Sequence, residues 1–262
     1  MLVTVITVCR NAEKSIRNAI ESVLSKDFND FEYLVVDGKS TDSTYEIVCS
    51  YDDKFKAKGI TYSHVSESDK GIYDAMNKAC KIASGEWVIF INADDALYNS
   101  TVLSDIFRDD VSGYDVIYGN VFRIGEDKQY LDKASPVKNI TLTMPFCHQS
   151  SITRRELVSF DPKYITADYK LFLGLYLDGK KFKQTDITFA KFSMEGYSNQ
   201  NSLRTYQDTV AVKAEYGLVK QNSLKQKIKD VYHKILLDEN APGHKLASKH
   251  NAKLTEKRKL EK

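Results

Sequence analysis

The stretch of this chain that decides its fold is residues 87–95, WVIFINADD, in which an apolar run ends at two adjacent carboxylates. The run, residues 87–91, is short, continuous and rich in aromatic and β-branched side chains, which is typical of a buried strand. Two like charges about 4 Å apart repel by roughly 4 kcal/mol at an effective dielectric constant of about 20. Something in the molecule must therefore offset the repulsion between Asp94 and Asp95.

Three further apolar runs precede this stretch, and a helical pattern follows each of them. The runs lie at residues 2–8, 31–36 and 60–65. Helices are predicted over residues 16–24, from a capping box at Ser43 and Glu46 through Phe55, and over residues 72–83, with Gly85 ending the last. Strands that alternate with amphipathic helices, without hairpin turns between them, predict a largely parallel sheet with helices on both faces.

The second part of the chain has weaker signals. We expect a helix over residues 101–107, strands over 115–124 and 182–192, a polar stretch up to Pro145 and a helix over 168–177. From residue 203 the pattern is helical and basic, with 14 Lys and Arg against 7 Asp and Glu from residue 200 onward. The end of the chain after residues 242–243 is expected to be flexible.

The composition, 42% hydrophobic and 28% charged over 262 residues, is typical of a soluble globular protein. No apolar run approaches the ~18 residues that a membrane-spanning helix needs, and the amino terminus shows no signal peptide. We therefore expect a cytoplasmic protein. The cysteines, at positions 9, 49, 80 and 147, form no C-x-x-C pair, which argues against a zinc site and a disulfide framework.

Polar side chains cluster where the predicted strands end. The clusters lie at residues 7–11, Asp37, residues 67–71 and residues 92–95. Because parallel sheets bind ligands at the carboxyl ends of their strands, these acidic side chains are expected to converge on one edge. An isolated Asp-Asp pair would be a solvated turn or a cap for the helix near Thr101. The edge shared with Asp37 and Asp69 favours a functional site.

Neither of the two familiar glycine-rich phosphate loops is present. The chain has no G-x-G-x-x-G, and a P-loop ending at residues 38–40, GKS, would place its first glycine at Tyr33, inside a strand. Such a fold must bind a diphosphate by other means, and a divalent cation held by carboxylates is the expected one. We therefore predict that a metal offsets the repulsion between Asp94 and Asp95.

Four segments resemble family 2 of the glycosyltransferases, a large family with the GT-A fold and inverting stereochemistry. They are TVITVCRNAEKSIRNAIESVLSKDFNDFEYLVVDGKSTDST (4–44), SESDKGIYDAMNKACKIASGEWVIFINADD (66–95), CHQSSITRREL (147–157) and TADYKLFLGL (166–175). The resemblance implies the α/β GT-A fold of nucleotide-diphospho-sugar transferases, with a mostly parallel central sheet flanked by helices. Residues 1–200 would form the catalytic domain, with a nucleotide-sugar half (1–98) and an acceptor half (99–200), and residues 201–262 a basic helical C-terminal extension.

By this resemblance, side chains at several strand ends bind the donor sugar nucleotide. The donor-binding residues would be Thr7, Asn11, Asp37, Asp69, Gly71, Asn92 and Asp94. Thr7 and Asp37 would hold the base. Residues 92–94 match the family's Asp-x-Asp element, with an amide at Asn92 where Asp is commoner. Asp94 and Asp95 would bind a divalent metal, Mn²⁺ or Mg²⁺.

The resemblance also assigns residues on the acceptor side. Asp168 matches an acidic residue of the family's Glu/Asp-Asp element, with Ala167 in place of the first acid. It would be the general base that takes the proton from the acceptor hydroxyl. From the residues alone, Asp168 would cap the helix that follows. His148, next to Gln149, matches a family element near the acceptor.

These features predict a metal-dependent inverting glycosyltransferase of surface polysaccharide assembly, for an exopolysaccharide, capsule or O-antigen. The expected donor is a UDP-sugar, and the expected acceptor is a glycan or a lipid-linked saccharide. The basic C-terminal segment would contact the inner face of an anionic membrane or else be solvated. Because its final twenty residues lack stacking aromatics, no nucleic-acid partner is expected. Two other classes stay open: a catalytically silent nucleotide-sugar binding module and a metal-dependent nucleotidyltransferase.

Overall fold

The amino-terminal half contains the four parallel strands that the sequence predicts. In the computed structural model, which describes residues 1–194, 202–219, 230–234, 236, 248 and 251, these are β1 (Val3–Cys9), β2 (Phe31–Asp37), β3 (Thr61–Ser66) and β4 (Trp87–Phe90). They lie side by side in the order β3-β2-β1-β4. The helices between them are α1 (Ile16–Leu24), α2 (Thr44–Cys49), α3 (Asp52–Ala57) and α4 (Ile72–Ile82).

The following segment extends the same sheet with strands of both directions. Its elements are β5 (Ala96–Leu97), α5 (Val102–Ile106), β6 (Val116–Ile124), β7 (Gln129–Asp132), β8 (Ser151–Arg154), α6 (Ala167–Leu177) and β9 (Phe182–Ser193). The strand order is β3-β2-β1-β4-β8-β6-β9-β5, and β7 pairs with β6. β8 is antiparallel to both β4 and β6, whereas β9 is parallel to β6. The predicted α/β fold, a central sheet flanked by helices, is therefore confirmed.

β1 explains why helices cover both faces of the sheet. All seven of its residues are buried. Val3 and Val5 belong to an apolar cluster on one face, and Ile6 and Val8 to a second cluster on the other. The first cluster includes residues of α1, α2, α3 and α5, and the second includes residues of α4 and α6. A strand buried on both faces needs apolar residues at successive positions, which is why it is predicted from a continuous run.

The segment after β2 differs from its prediction. The single helix expected through Phe55 is two helices, α2 and α3. The Ser43 side chain makes no cap hydrogen bond. Asp42 Oδ1 accepts instead from the backbone N–H of Thr44 at 3.0 Å. The capping-box interpretation is therefore wrong, because an aspartate one residue earlier satisfies the helix N-terminus.

The other differences concern the end of α4 and three short strands. α4 ends at Ile82 rather than beside Gly85. A Cβ atom on Gly85 would lie 2.5 Å from the backbone nitrogen of Thr4, so this glycine permits the turn before β4 to approach β1 closely. Strands β5, β7 and β8 are absent from the sequence prediction, because two to four residues each give too little alternation to exceed a loop pattern.

The chain divides into two units, Met1–Gly196 and Tyr197–Lys262. The second contains α7 (Ser202–Glu215), which agrees with the helical pattern expected from residue 203. Within this unit the Tyr206 hydroxyl donates to Asp230 at 3.0 Å.

The C-terminal expectations are only partly covered by the structure. The end after residues 242–243, expected to be flexible, lies outside the described residues apart from positions 248 and 251. The division of residues 1–200 into donor and acceptor halves stays a prediction. Within the described part of the chain, every helix is too short or too polar to span a bilayer.

Glu32, in β2, anchors the turn before β4 from inside the protein. It is 7% exposed. Its Oε1 accepts from the Thr4 hydroxyl and from the Ser84 backbone N–H, each at 2.5 Å, and Oε2 accepts from the Ser84 hydroxyl at 2.7 Å. Burial alone would raise the pKa of this carboxyl, but the hydrogen bonds from Thr4, Ser84 and Gly85 together lower the pKa below its usual value. Glu32 is therefore ionised in the native protein.

Glu32→Gln should lower the free energy of unfolding by about 1–3 kcal/mol at pH 7, because an amide hydrogen would then face other donors. The folded-state pKa lies below the unfolded one. The carboxylate's contribution is therefore present above the unfolded value and is lost as the pH falls through the folded pKa. Urea unfolding should show a smaller difference between wild type and variant at pH 3 than at pH 7. The exposed Glu126 supplies the control Glu126→Gln; equal losses in both variants would contradict the role of this network.

Candidate active site

The carboxyl ends of β1, β2 and β3 meet at Asp37. This carboxylate is completely buried and accepts hydrogen bonds from the Ser40 backbone N–H at 3.0 Å and from the Ser66 hydroxyl at 2.6 Å. The Ser40 hydroxyl donates to the other oxygen, and the Cys9 thiol lies 3.8 Å from it. Donors from β1, β3 and the loop after β2 thus hold Asp37 in one orientation at the edge where it is expected.

Two residues with left-handed backbone follow β1 and β2. Asn11 has a φ of 51° and Lys39 a φ of 57°. Asn11 Oδ1 accepts from the Thr41 N–H at 2.8 Å, and the Asn11 N–H donates to the Ser40 hydroxyl at 2.8 Å. Non-glycine residues in this conformation are held there by their surroundings and are frequent at ligand sites. Asn11 therefore ties two loops together at the ligand edge, and its contact with a donor stays a prediction.

Gly38 allows a second acidic residue to reach the tip of β2. A Cβ atom on Gly38 would lie 2.3 Å from Asp69 Oδ2, so a side chain at this position would displace the Asp69 carboxyl from the tip of β2. Asp69 Oδ1 accepts from the Gly71 N–H at 2.8 Å, and Gly71 has a φ of 124°, which favours glycine. The structure therefore brings Asp69 and Gly71 to the same edge as Asp37.

The Thr7 side chain lies inside the protein. It is completely buried, and its hydroxyl donates to the Ile91 carbonyl at 2.7 Å and accepts from the Tyr33 hydroxyl at 3.0 Å. The β1 residue beside Asp37 is Cys9. The Thr7 hydroxyl thus links β1 to the end of β4 inside the protein, and a contact between Thr7 and the nucleotide base stays a prediction.

The Asp pair follows β4 in a tight turn. The Asp95 N–H donates to the Asn92 carbonyl at 3.0 Å. The turn separates the environments of the two carboxyl groups, since Asp94 is exposed and Asp95 is only 2% exposed. Asn92 Oδ1 is buried and has no hydrogen-bond partner among the described residues. The turn thus presents one exposed carboxylate and one unpaired amide oxygen.

Asp95 is held by two hydrogen-bond donors. Gln149 Nε2 donates to Asp95 Oδ2, and the Ser193 N–H donates to Oδ1, both at 2.9 Å. Burial above all, and then the charge of Asp94, raise the pKa of Asp95 to about 7. Protonation of Asp95 would relieve part of the repulsion within the pair. A metal that offsets this repulsion stays a prediction.

The residues at this turn fit a divalent cation that takes its remaining ligands from a phosphate group and water. Mg²⁺ usually takes one or two protein carboxylates and completes its octahedron with water and substrate phosphates. Asp94 offers such a carboxylate, and the Asn92 amide oxygen lies in the same turn. Across the described ranges, no group of three or more His, Cys, Asp or Glu side chains could hold a metal. A cation bound here would therefore take most of its ligands from a diphosphate and water.

Asp168 lies in the first turn of α6, and both of its carboxylate oxygens have neighbours. Oδ1 accepts from the Tyr169 N–H at 2.8 Å and from the Tyr73 hydroxyl at 3.2 Å, and Oδ2 lies 3.4 Å from His148 Nδ1. Burial would raise the pKa of Asp168, but His148, Tyr169 and Tyr73 together lower the pKa below its usual value. The carboxylate is therefore ionised at neutral pH, which is the state that a general base needs. The helix-cap alternative is wrong, because α6 begins at Ala167 with Thr166 at its N-cap position and Asp168 lies inside the first turn.

One short turn contacts both Asp95 and Asp168. His148 contacts Asp168, and the adjacent Gln149 donates to Asp95; both belong to the 3₁₀ turn His148–Ser150. A contact between His148 and an acceptor stays a prediction. The sequence prediction gave no role to three residues of this site: Gln149, Ser193 and Tyr73. Gln149 and Tyr73 had a signal, since they lie in the quoted segments 147–157 and 66–95, whereas Ser193 lies in none of them.

The sheet order, the acidic residues at the ends of its parallel strands and the ionised carboxylate beyond them agree with the GT-A-like α/β fold that the sequence resemblance implies. The model of the family described as Glycosyl transferase family 2 matches residues 4–167. The chain therefore belongs to glycosyltransferase family 2.

Curated relatives align with parts of the chain. A PGL/p-HBAD biosynthesis glycosyltransferase of Mycobacterium tuberculosis (strain ATCC 25177 / H37Ra) is 30% identical over 140 residues, which are 53% of this chain and 53% of that protein. The poly(ribitol-phosphate) beta-N-acetylglucosaminyltransferase TarS of Staphylococcus aureus (strain MW2) is 36% identical over 104 residues, 39% of this chain and 18% of TarS. The chain thus spans about half the length of the mycobacterial relative.

Solved structures share the fold over nearly the whole chain. S. aureus TarS 1-349 in complex with UDP-GlcNAc has a TM-score of 0.64 and 21% identity, and the match covers 94% of this chain and 69% of that one. The mannosyltransferase PcManGT from Pyrobaculum calidifontis, in complex with GDP-Man and Mn²⁺, has a TM-score of 0.63 and 16% identity, covering 97% and 74%. These similarities establish the GT-A-like fold.

The free energy of unfolding of Asp95→Asn relative to wild type should increase as the pH rises from 4 to 8, starting from a loss of about 1–3 kcal/mol because the amide hydrogens face the donors of Gln149 and Ser193. The folded pKa is about 7 and the usual value is 3.8. Between these values the native state binds more protons than the unfolded state, so wild-type stability falls as the pH rises. Asparagine stays neutral, and the variant's unfolding free energy relative to wild type should therefore rise by no more than about 4 kcal/mol and level off above pH 7.

Urea unfolding of both proteins in EDTA at pH 4, 6 and 8 measures this gap in unfolding free energy. Asp178→Asn, at an exposed residue that follows α6, should give a gap that does not change with pH. A gap of constant size for Asp95→Asn would show that Asp95 does not ionise in this pH range.

Proposed function

We propose that this chain is a metal-dependent inverting glycosyltransferase that moves a sugar from a nucleoside diphosphate sugar to a hydroxyl group during the assembly of a cell-surface glycan. The observation that supports the proposal is the turn His148–Ser150. In this turn His148 contacts the ionised Asp168, and Gln149 donates a hydrogen bond to Asp95 of the Asp pair. A proton acceptor and an exposed carboxylate suited to a phosphate-bound cation are the two groups that sugar transfer requires.

A UDP-sugar is the proposed donor, with Mn²⁺ or Mg²⁺ as the cofactor. TarS has been solved in complex with UDP-GlcNAc and with UDP, and PcManGT with GDP-Man and Mn²⁺, which supports a nucleotide-sugar donor for a chain of this fold. The proposed donor-binding residues are Thr7, Asn11, Asp37, Asp69, Gly71, Asn92 and Asp94. Asp94 is the proposed direct ligand of the cation, because it is exposed and Asp95 already accepts two hydrogen bonds.

The reaction needs a stabilised leaving group and a deprotonated nucleophile. When bound, the cation supplies Lewis-acid stabilisation of the departing diphosphate. Asp168 takes the proton of the acceptor hydroxyl at Oδ2, because Oδ1 already accepts from Tyr169 and Tyr73. The hydroxyl oxygen then forms the new bond to the anomeric carbon as the bond to the diphosphate breaks on the opposite side. This single in-line displacement inverts the configuration.

The proposed acceptor is a hydroxyl group of a glycan or of a lipid-linked saccharide. The names of the relatives, which refer to poly(ribitol-phosphate) and to PGL/p-HBAD biosynthesis, support a product of the cell surface. The reaction would take place in the cytoplasm. The basic residues from position 200 onward, 14 Lys and Arg against 7 Asp and Glu, would bring the enzyme to the anionic inner face of the membrane.

Asp168→Asn should lower kcat about 10²–10⁴-fold, because an amide cannot take up the acceptor's proton. Donor affinity should stay within about twofold, since the amide oxygen can still accept from Tyr169 and Tyr73. Release of UDP from a panel of UDP-sugars measures kcat, and calorimetry measures donor affinity. Unchanged turnover would eliminate Asp168 as the base. Wild-type protein that binds UDP-sugars and never consumes them would favour the silent binding module.

Asp94→Ala should weaken Mn²⁺-dependent binding of UDP at least tenfold, because the exposed carboxylate is the proposed ligand of the cation. Calorimetric titration of UDP with Mn²⁺ and with EDTA separates the metal-dependent part. Asp53→Ala, which removes an exposed carboxylate from α3, should leave binding unchanged. Affinity that is equal with Mn²⁺ and with EDTA in the wild type would refute metal dependence, and release of pyrophosphate instead of UDP would indicate a nucleotidyltransferase.

A further inference from the structure

The turn that precedes β8 is fixed by its own hydrogen bonds. The Ser150 N–H and hydroxyl both donate to the Cys147 carbonyl at 2.8 Å, and the Ser151 hydroxyl donates to the His148 carbonyl at 2.8 Å. These bonds leave residues 147–150 little freedom to move independently. Two side chains that leave adjacent positions of this turn therefore keep a constant relation to each other.

Both polar groups of the buried Gln149 side chain are hydrogen-bonded. It is 1% exposed, its Nε2 donates to Asp95 Oδ2 at 2.9 Å, and its Oε1 accepts from the Cys147 thiol at 2.8 Å. Burial raises the pKa of Cys147 to about 12, so the thiol keeps its proton and remains a donor. This donor fixes the orientation of the Gln149 amide, with its N–H groups facing the carboxyl of Asp95.

Asp95 connects the Gln149 side chain to the adjacent residue Asp94, whose carboxylate is exposed. The second oxygen of Asp95 accepts from the Ser193 N–H at the end of β9, and the Asp95 N–H closes the turn on Asn92. Asp95 is therefore attached to three elements, while the adjacent Asp94 is exposed. Loss of the Gln149 hydrogen bond would free one of these attachments and change where Asp94 points.

His148 contacts the carboxylate of Asp168. Its Nδ1 lies 3.4 Å from Asp168 Oδ2, and its Nε2 is buried with no hydrogen-bond partner in the described part of the chain. The proton of the neutral ring is therefore best placed on Nδ1, where it faces Asp168. The other titratable groups near this carboxylate are Tyr73 of α4 and Cys147 of the turn. Among them only the histidine can become a cation.

We propose that residues 147–150 are a two-sided positioning element, in which Gln149 acts on the cation side through Asp95 and His148 acts on the proton-accepting side through Asp168. The proposal rests on the proposed function, because it assigns the two sides to metal binding and to general base catalysis. Neither residue needs to touch the reacting atoms. Groups that orient metal ligands in this way typically change metal affinity or activity by 10–100-fold when they are removed.

Two apolar variants in the same turn test the proposal, and each is the control for the other. Gln149→Leu should weaken binding of Mn²⁺ in the presence of UDP by about 10–100-fold, measured by electron paramagnetic resonance of the free ion without any turnover. It should leave the acidic limb of the kcat–pH profile in place. His148→Leu should leave Mn²⁺ affinity within about twofold, lower kcat, and move that limb to higher pH, because Asp168 loses a donor that favours its ionised form.

Conservative variants separate positioning from a general loss of structure. His148→Asn keeps a side-chain N–H close to the Nδ1 position and should restore most of kcat. Gln149→Asn is one methylene too short to reach Asp95 and should behave like Gln149→Leu. Thermal unfolding of all four variants checks that each is folded. If Gln149→Leu does not fold, Gln149→Asn carries the same measurement, and if His148→Leu does not fold, His148→Ala replaces it.

The result that overturns the inference is a wild type that binds Mn²⁺ with UDP and turns over a UDP-sugar, together with Gln149 and His148 variants that alter both readouts equally or alter neither. That outcome leaves the proposed function intact. A wild type that binds neither UDP nor GDP in the presence of Mn²⁺ overturns the proposed function instead, so the two failures are distinguishable.

Discussion

Burial of the Asp95 carboxyl is the constraint on which the site depends. An unpaired carboxylate at 2% exposure would cost several kcal/mol, so donors must reach it from other elements. They come from Gln149, before β8, and from Ser193, at the end of β9. The same burial leaves the neighbouring Asp94 as the exposed member of the pair. One buried group thus determines which elements meet and which carboxylate is free to bind.

The change of strand direction within the sheet is what makes this meeting geometrically possible. β8 runs antiparallel to β4, with Trp87 opposite Arg154 and Val88 opposite Thr153. The residues before β8 therefore lie at the carboxyl end of β4, beside the Asp pair. A parallel strand in this place would have brought its carboxyl end there instead, and the turn His148–Ser150 would lie at the opposite edge. The antiparallel insertion is thus part of the site.

The two proposed halves of the reaction are also joined through α4. The loop containing Asp69 and Gly71 leads directly into this helix, and Tyr73 in its first turn donates to Asp168 Oδ1 and to the Ile165 carbonyl. The base candidate is therefore held between an element from the donor side and the turn that holds Asp95. This shared support favours a single site with two functions over two independent binding surfaces.

Local patterns account for the parts of this protein that are predictable from sequence. The alternation of strands and helices over the first hundred residues, the buried character of β1 and the polar ends of the strands all follow from side-chain periodicity, which acts over a few residues. The same patterns predicted acidic groups at one edge. The capping box at Ser43 was wrong, because the side chain of Asp42 accepts from the helix N-terminus instead. The Thr7 side chain lies in the core and not at a polar strand end, because its hydroxyl donates to the Ile91 carbonyl.

The sequence by itself determined the α/β class, the order of the first four strands along the chain and the identity of the acidic residues at their ends. Only the tertiary structure decided which carboxyl of the Asp pair is buried, which residues hold it and what keeps Asp168 ionised. The physical reason is distance along the chain. Gln149 and Ser193 bind Asp95 from 54 and 98 positions away, and contacts of that separation depend on strand order and direction, which leave no periodic trace in the sequence.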